Sequence, residues 1–259
     1  MNVTRSFYAG CGRRLQAIGS ARRIAQFLAA VVVSSAALLG SPSPFAFAEP
    51  CPDVDVVFAR GTYEPPGVGG VGQAFVDSVR AQAGARSVAV YGVDYAASGD
   101  FPAPGDFQGG LQFLSTVMNG IYDARDHVVA MAANCPRTRI VLGGYSQGAA
   151  LAGFVTSAAI PQEVPADYVQ YVPKPMKPEV ADHVAAVALF GKPSDQFLGA
   201  YGVPPIKIGP LYQPKTIELC APGDDICSGA PGGQPGIAHL LYGTNGMTNE
   251  AAAFVTSRL

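Results

Sequence analysis

Five short runs of apolar, mostly β-branched residues recur along the chain, at 54–58, 88–95, 140–142, 184–190 and 216–219. Several are apolar nearly throughout, the pattern of strands buried on both faces of a parallel sheet. Stretches of helical spacing separate them. Val71, Phe75 and Val79 fall four apart, and so do Ile121, Arg125 and Val129. An Ala-rich stretch, 148–159, opens directly after a strand, and 244–259 closes the chain as another helix. Strand alternating with helix predicts a doubly wound α/β domain, a three-layer sandwich on a central five-stranded parallel sheet. In such a sheet ligands bind outside the carboxyl ends of the strands. The functional loops are then 60–70, 96–120, 144–148, 191–210 and 221–238. The loops before the strands belong to the opposite edge. By that rule the Pro-rich insert 160–178 is structural and remote from chemistry.

The first 48 residues do not read as part of this domain. Arg5, Arg13, Arg14, Arg22 and Arg23 make a basic start without an acid, an apolar run follows at 24–39, and Ala46-Phe47-Ala48 gives a small-x-small site before Glu49. This is the layout of a cleavable secretory signal, leaving residues 49–259 as one domain. Of seventeen Lys and Arg, five leave with the leader, so twelve face nineteen acids and the remainder carries a formal charge of −7. No basic stripe remains, which excludes a nucleic-acid partner. Cys11 also leaves, and Cys51, Cys135, Cys220 and Cys227 remain. Four cysteines in an exported chain point to two disulfides in one of three connectivities. No C-x-x-C pair suggests a metal site.

Gly144-Tyr145-Ser146-Gln147-Gly148 matches G-x-S-x-G and lies between a strand and the Ala-rich helix. That is the context of a nucleophile elbow, where small neighbours permit a tight turn that lifts the Ser hydroxyl above the sheet. A Ser hydroxyl needs a base. Of three His, His127 sits in a helix and His183 precedes a strand, at the wrong edge; His239 follows the last strand and can reach the active edge. A carboxylate should lie between Ser146 and His239 in sequence, and Asp195, Asp224 and Asp225 qualify. The last two sit inside Cys220-Ala-Pro-Gly-Asp-Asp-Ile-Cys227, where a short disulfide would hold one of them rigidly. Oxyanion donors are expected from the backbone N–H of Gln147 and from Thr62 in the loop Ala59-Arg60-Gly61-Thr62.

Phe58-Ala59-Arg60-Gly61-Thr62, Gly144-Tyr145-Ser146-Gln147-Gly148, Cys220-x-x-x-Asp224-x-x-Cys227 and His239-Leu240 together resemble the cutinase family of α/β-hydrolases, over essentially all of residues 49–259. The resemblance is closest to cutinase-like esterases of bacteria with waxy envelopes. It implies Ser146, Asp224 and His239 as the triad, Thr62 and Gln147 as the oxyanion hole, and no cofactor. It also implies disulfides Cys51–Cys135 and Cys220–Cys227. Sheet geometry agrees with the pairing: Cys51 and Cys135 precede strands expected to be neighbours in a 2-1-3-4-5 order, while Cys220 and Cys227 follow the last strand at the other edge. Thr62 departs from the Ser of fungal cutinases, and the insert 160–178 is longer than theirs.

The functional loops carry Phe101, Phe107, Leu111, Phe113, Leu114, Phe197, Leu198, Tyr201, Val203 and Ile206. Exposed apolar rims mark lipid or partner contact. With the family, they imply a monomeric esterase acting on short to medium acyl esters, in transient contact with lipid surfaces, with no large lid. An acyltransferase using an envelope alcohol in place of water would employ the same residues. A non-catalytic secreted lipid binder is a third reading, opposed by the intact set of catalytic residue types.

Overall fold

A computed structural model describes residues 50–101, 107–230 and 233–259. The proposed leader, 1–48, lies outside the described residues. The strands are β1 (Val54–Ala59), β2 (Val88–Gly92), β3 (Arg139–Tyr145), β4 (Val184–Phe190) and β5 (Thr216–Leu219). They form one all-parallel sheet in the order β2-β1-β3-β4-β5. The helices are α1 (Gly69–Gln82), α2 (Phe107–Asn134), α3 (Gln147–Val155), α4 (Asp195–Ala200), α5 (Asp225–Ser228), α6 (Ile237–Leu240) and α7 (Met247–Thr256).

Every residue of β1 and β4 is buried, because helices cover both faces of the sheet. Successive side chains point to opposite faces. Val57, Ala59, Leu142 and Leu189 therefore pack with Ile121, Ala124 and Val128 of α2 and Leu151 and Val155 of α3. Val56, Phe58, Val141 and Phe190 pack on the other face with Phe75 and Val79 of α1 and Ala252 and Val255 of α7. This is the expected three-layer α/β-hydrolase sandwich.

Several boundaries differ from the sequence reading, each for a local reason. The third strand runs on through Gly143 and Gly144, residues that weaken strands in general. Here a Cβ on Gly143 would stand 2.9 Å from the Phe58 ring, so the strand needs glycine. The second strand stops at Gly92, where the backbone of Gly67 crosses within 2.6 Å of a would-be Cβ. The helix after Ser146 ends at Val155, and Thr156 O accepts from Gly209 N at 3.0 Å. The last helix starts only at Met247, after Gly246 at φ 90°.

Cys51 pairs with Cys135 at the amino edge of β1 and β3, and Cys220 pairs with Cys227 beyond β5, with Cα–Cα distances of 5.5 and 5.7 Å. No helix among the described residues is long and apolar enough to cross a membrane. The first bridge closes a loop of sequence separation 84 and the second one of 7. In the chain-entropy treatment the long bridge stabilises by about 4–5 kcal/mol and the short one by about 2 kcal/mol. Cys51→Ser/Cys135→Ser is therefore expected to lower the urea midpoint more than Cys220→Ser/Cys227→Ser. Equal shifts would show that loop length does not govern their contributions.

Candidate active site

The turn from β3 into α3 is built by close backbone approach. A Cβ on Gly144 would lie 2.1 Å from Gly148 O, and one on Gly148 would lie 2.0 Å from Ala59 O. Ser146, between them, takes φ 54° and ψ −118°. A non-glycine residue holds such a conformation only where its surroundings over-determine it. Its N–H donates to Phe190 O at 2.9 Å, and its carbonyl accepts from Ala149 N and Ala150 N. The hydroxyl is left to face His239, whose Nε2 is 2.8 Å from Ser146 Oγ.

His239 lies in the single-turn helix α6 and is 3% exposed. Its Nδ1 is 2.9 Å from Asp224 Oδ2. Tyr145 OH donates to its backbone carbonyl at 2.5 Å and so anchors the turn. Asp224 is fully buried, and a buried carboxylate must be hydrogen-bonded. Its Oδ1 accepts from Ile226 N at 3.0 Å, the cap of α5, and its Oδ2 accepts from Tyr242 OH at 2.7 Å. Burial, and next the Asp224 carboxylate, push the Tyr242 phenol well above its ordinary pKa, so it remains a donor. Gly191, at φ 54°, allows this packing: a Cβ there would stand 2.9 Å from Tyr242 and 3.1 Å from His239.

The other candidates lie elsewhere. Asp195 and Asp225 are exposed first residues of α4 and α5. His127 bonds Asp55 Oδ2 at 2.8 Å and stacks on Tyr91 at 3.6 Å. His183 ends a short 3-10 helix just before β4.

Thr62 is half-buried and lines the same cavity as Ser146, Gln147 and His239. Its loop is held by residues that sequence reasoning did not single out. Glu64 Oε2 accepts from Gly61 N at 2.6 Å, while Oε1 accepts from Gly70 N at 2.7 Å and Val71 N at 3.3 Å. Buried Arg60 donates to Glu64 O at 2.9 Å and to Tyr95 O at 2.5 Å, and Tyr95 OH donates back to Arg60 O. Gln147, at the first position of α3, extends its amide Nε2 to Ser98 O at 3.0 Å. An Arg and a Glu four apart after a strand were the only local signal for this brace. Nothing local marked Tyr242.

The cavity has a volume of about 980 Å³. The anticipated rim divides in two. Leu198 and Ile206 are core, packed on Ala150, whereas Phe101 and Leu114 are 40% and 45% exposed. The side chains of Phe107 and Leu111 lie outside the described residues. The insert 160–178 is not remote: Ile160, Val164, Tyr168 and Tyr171 line the cavity that also contains Ser146. The sheet-edge rule failed because it locates the ends of the insert, not the path between them. Among the described residues no cluster of His, Cys, Asp and Glu could hold a metal.

A strained Ser at a strand–helix turn, hydrogen-bonded to a buried His–Asp pair on a parallel sheet, has the geometry of a serine-hydrolase centre. The cutinase family model matches residues 50–259, and the chain belongs to that family. It is 59% identical over 178 residues to Probable carboxylesterase Culp7 of Mycobacterium tuberculosis, covering 69% of this chain and 88% of that one. With Carboxylesterase Culp1 of Mycobacterium bovis it shares 45% identity, covering 92% and 97% of the two chains. A Trichoderma reesei cutinase in complex with a phosphonate inhibitor superposes with a TM-score of 0.54 at 29% identity, covering 91% of this chain and 88% of that one. The protein is a carboxylic ester hydrolase.

In Glu64→Gln an amide NH₂ must face a backbone N–H whichever way the amide turns. The expected cost is about 1.5–3 kcal/mol of stability. Loosening the Thr62 loop is expected to lower ester turnover by about tenfold or more. Unfolding midpoint and steady-state kinetics together test this; unchanged turnover would detach Glu64 from the site.

Proposed function

We propose that this is a secreted serine esterase in which Ser146 is the nucleophile, His239 the general base and acid, and Asp224 the carboxylate that orients and stabilises the imidazole. The observation that carries the reading is the hydrogen-bond chain from Asp224 through His239 to Ser146, at 2.9 and 2.8 Å, on the wall of a cavity. Ser146 Oγ attacks the ester carbonyl carbon as its proton passes to His239 Nε2. The bond to the alcohol oxygen then breaks, and that oxygen leaves with the proton. Water repeats the sequence on the acyl-enzyme: its proton goes to His239, its oxygen bonds the carbonyl carbon, and Ser146 is released protonated with the acid. The backbone N–H groups of Thr62 and Gln147 are assigned to the tetrahedral oxyanion, where preorganised donors act on charge as it develops. The reaction as written calls for no cofactor. The substrate is an ester with an apolar acyl group, matching the apolar side chains around the cavity. Export is supported by the Arg-rich start, the apolar run at 24–39 and two disulfides, which persist in oxidising compartments.

Ser146→Ala is expected to reduce turnover on the order of a millionfold. A fluorophosphonate probe should label wild type and spare the variant; labelling that persisted would move the nucleophile elsewhere. Asp224→Asn is expected to cost roughly ten-thousandfold, through loss of the imidazole tautomer. Asp225→Asn, on an exposed side chain, should cost far less. The opposite ranking would shift the carboxylate assignment by one residue.

A further inference from the structure

Helix α2 lines the cavity along three turns. Leu114, Met118, Ile121, Tyr122 and Arg125 are among its residues that line the same space as Ser146. From Leu114 to Arg125 the helix rises about 16 Å. The facing wall begins with Ala150 and Phe154 of α3 and continues into the insert with Ile160, Val164 and Tyr168. The insert is tied across to α2: Tyr122 OH donates to Tyr171 O at 3.1 Å, and Arg125 Nε donates to Lys174 O at 2.9 Å. Since α3 leads from the Ser146 turn toward the insert, the result is a trough with two walls that runs from that turn toward the α2–insert ties, where Glu163, Arg125 and Lys174 are the charged residues of its lining. Between those ends the walls are mainly aliphatic and aromatic.

We propose that this trough is an acyl-chain site, that the insert is its distal wall, and that the preferred acyl group is therefore a chain of ten to twelve carbons or so rather than a short one. The proposal rests on the reading of Ser146 as the nucleophile, which fixes where the carbonyl carbon sits. An extended chain advances about 1.25 Å per carbon, given bonds of about 1.5 Å, so a trough of about 16 Å takes roughly twelve carbons. The charged groups at the far end set the limit, because an apolar tail gains nothing by displacing the water around them. The chemistry at the carbonyl is unchanged; what the trough adds is burial of successive methylenes, a favourable contribution that grows with chain length until the wall ends.

The test is an acyl-length series of p-nitrophenyl esters, kept below micelle-forming concentrations, alongside a series of alkyl acetates that varies the alcohol instead. For wild type, kcat/KM for the decanoate is expected to exceed that for the butyrate by about tenfold or more. The alkyl acetates should show no comparable rise. Val164→Glu and Tyr168→Asp place a charge on the distal wall, and each should lower the decanoate-to-butyrate ratio by about tenfold. Tyr168 lies in a 3-10 segment, Ala166–Tyr171, with no buried residue, so that variant tests the wall without disturbing the core. A wild-type optimum at the butyrate, or a rise with alcohol length instead of acyl length, would overturn the proposal. So would wall variants that change both esters equally. Failure of the nucleophile assignment has a separate signature, since fluorophosphonate labelling would then persist in Ser146→Ala.

Discussion

The turn from β3 into α3 works only because the first turn of the helix is pressed against the carboxyl end of β1. The contact is backbone on backbone, at a separation where any side chain on residue 148 would collide with the carbonyl of Ala59. That contact fixes the direction of α3 relative to the sheet. It presents the amino end of the helix to the loop after β1, so that Gln147 and Thr62 face one cavity. It also forces Ser146 into a region of φ and ψ that costs on the order of 1–3 kcal/mol. The cost is tolerated because α3 is buried on nearly every side and because Phe190 O holds the Ser146 N–H. A side chain so held, the proposed nucleophile, does not have to be positioned by substrate.

The arrangement then propagates through one buried carboxylate. Asp224 has no access to water, so donors from the protein must satisfy it. Tyr242 OH accepts from Ala221 N at 2.8 Å, which leaves its own proton for Asp224. Ile226 N supplies the second donor. The third position on the carboxylate is met by His239 Nδ1, which must carry a proton to bond there. In the neutral ring that leaves Nε2 unprotonated and aimed at Ser146 Oγ, the tautomer that the proposed general base requires. The Cys220–Cys227 bridge closes the loop that carries Asp224, so the tautomer is set by covalent and hydrogen-bonded structure before any ligand arrives.

The sheet order, the elbow and the disulfide pairing were legible in the sequence because each has a local signature: apolar runs, glycines around a Ser, cysteines beside strands. His239 emerged by elimination among three His, and the structure places it beside Ser146 and Asp224. The braces were not legible. Glu64 reads as an ordinary loop acid, and its role depends on the amino end of α1 arriving beside it. Tyr242 reads as a core aromatic, and its hydroxyl matters only through a tertiary contact. Boundaries slipped where glycine sits against propensity, at Gly143 and Gly144 within a strand and at Gly246 ahead of a helix. The rim could not be divided from sequence, because Phe101 and Leu198 differ in surroundings and not in type.

The two ends of the cavity are held in different ways. Around Ser146 the structure is over-determined: two glycines without room for a Cβ, a buried acid with three donors, a disulfide and a braced loop. At the insert, Ala166–Tyr171 buries nothing, and two side chains of α2 fasten the segment through backbone carbonyls of Tyr171 and Lys174. A bond to a backbone carbonyl does not depend on which side chain that residue bears. The insert can therefore change its lining residues while keeping its attachment. Substitutions around the Ser146 turn disturb backbone contacts with β1, whereas substitutions at the exposed residues of Ala166–Tyr171 change the cavity lining without touching the core. On the proposed reading, the doubly wound sheet thus separates the demands of acyl transfer from those of chain recognition, and it does so within one cavity.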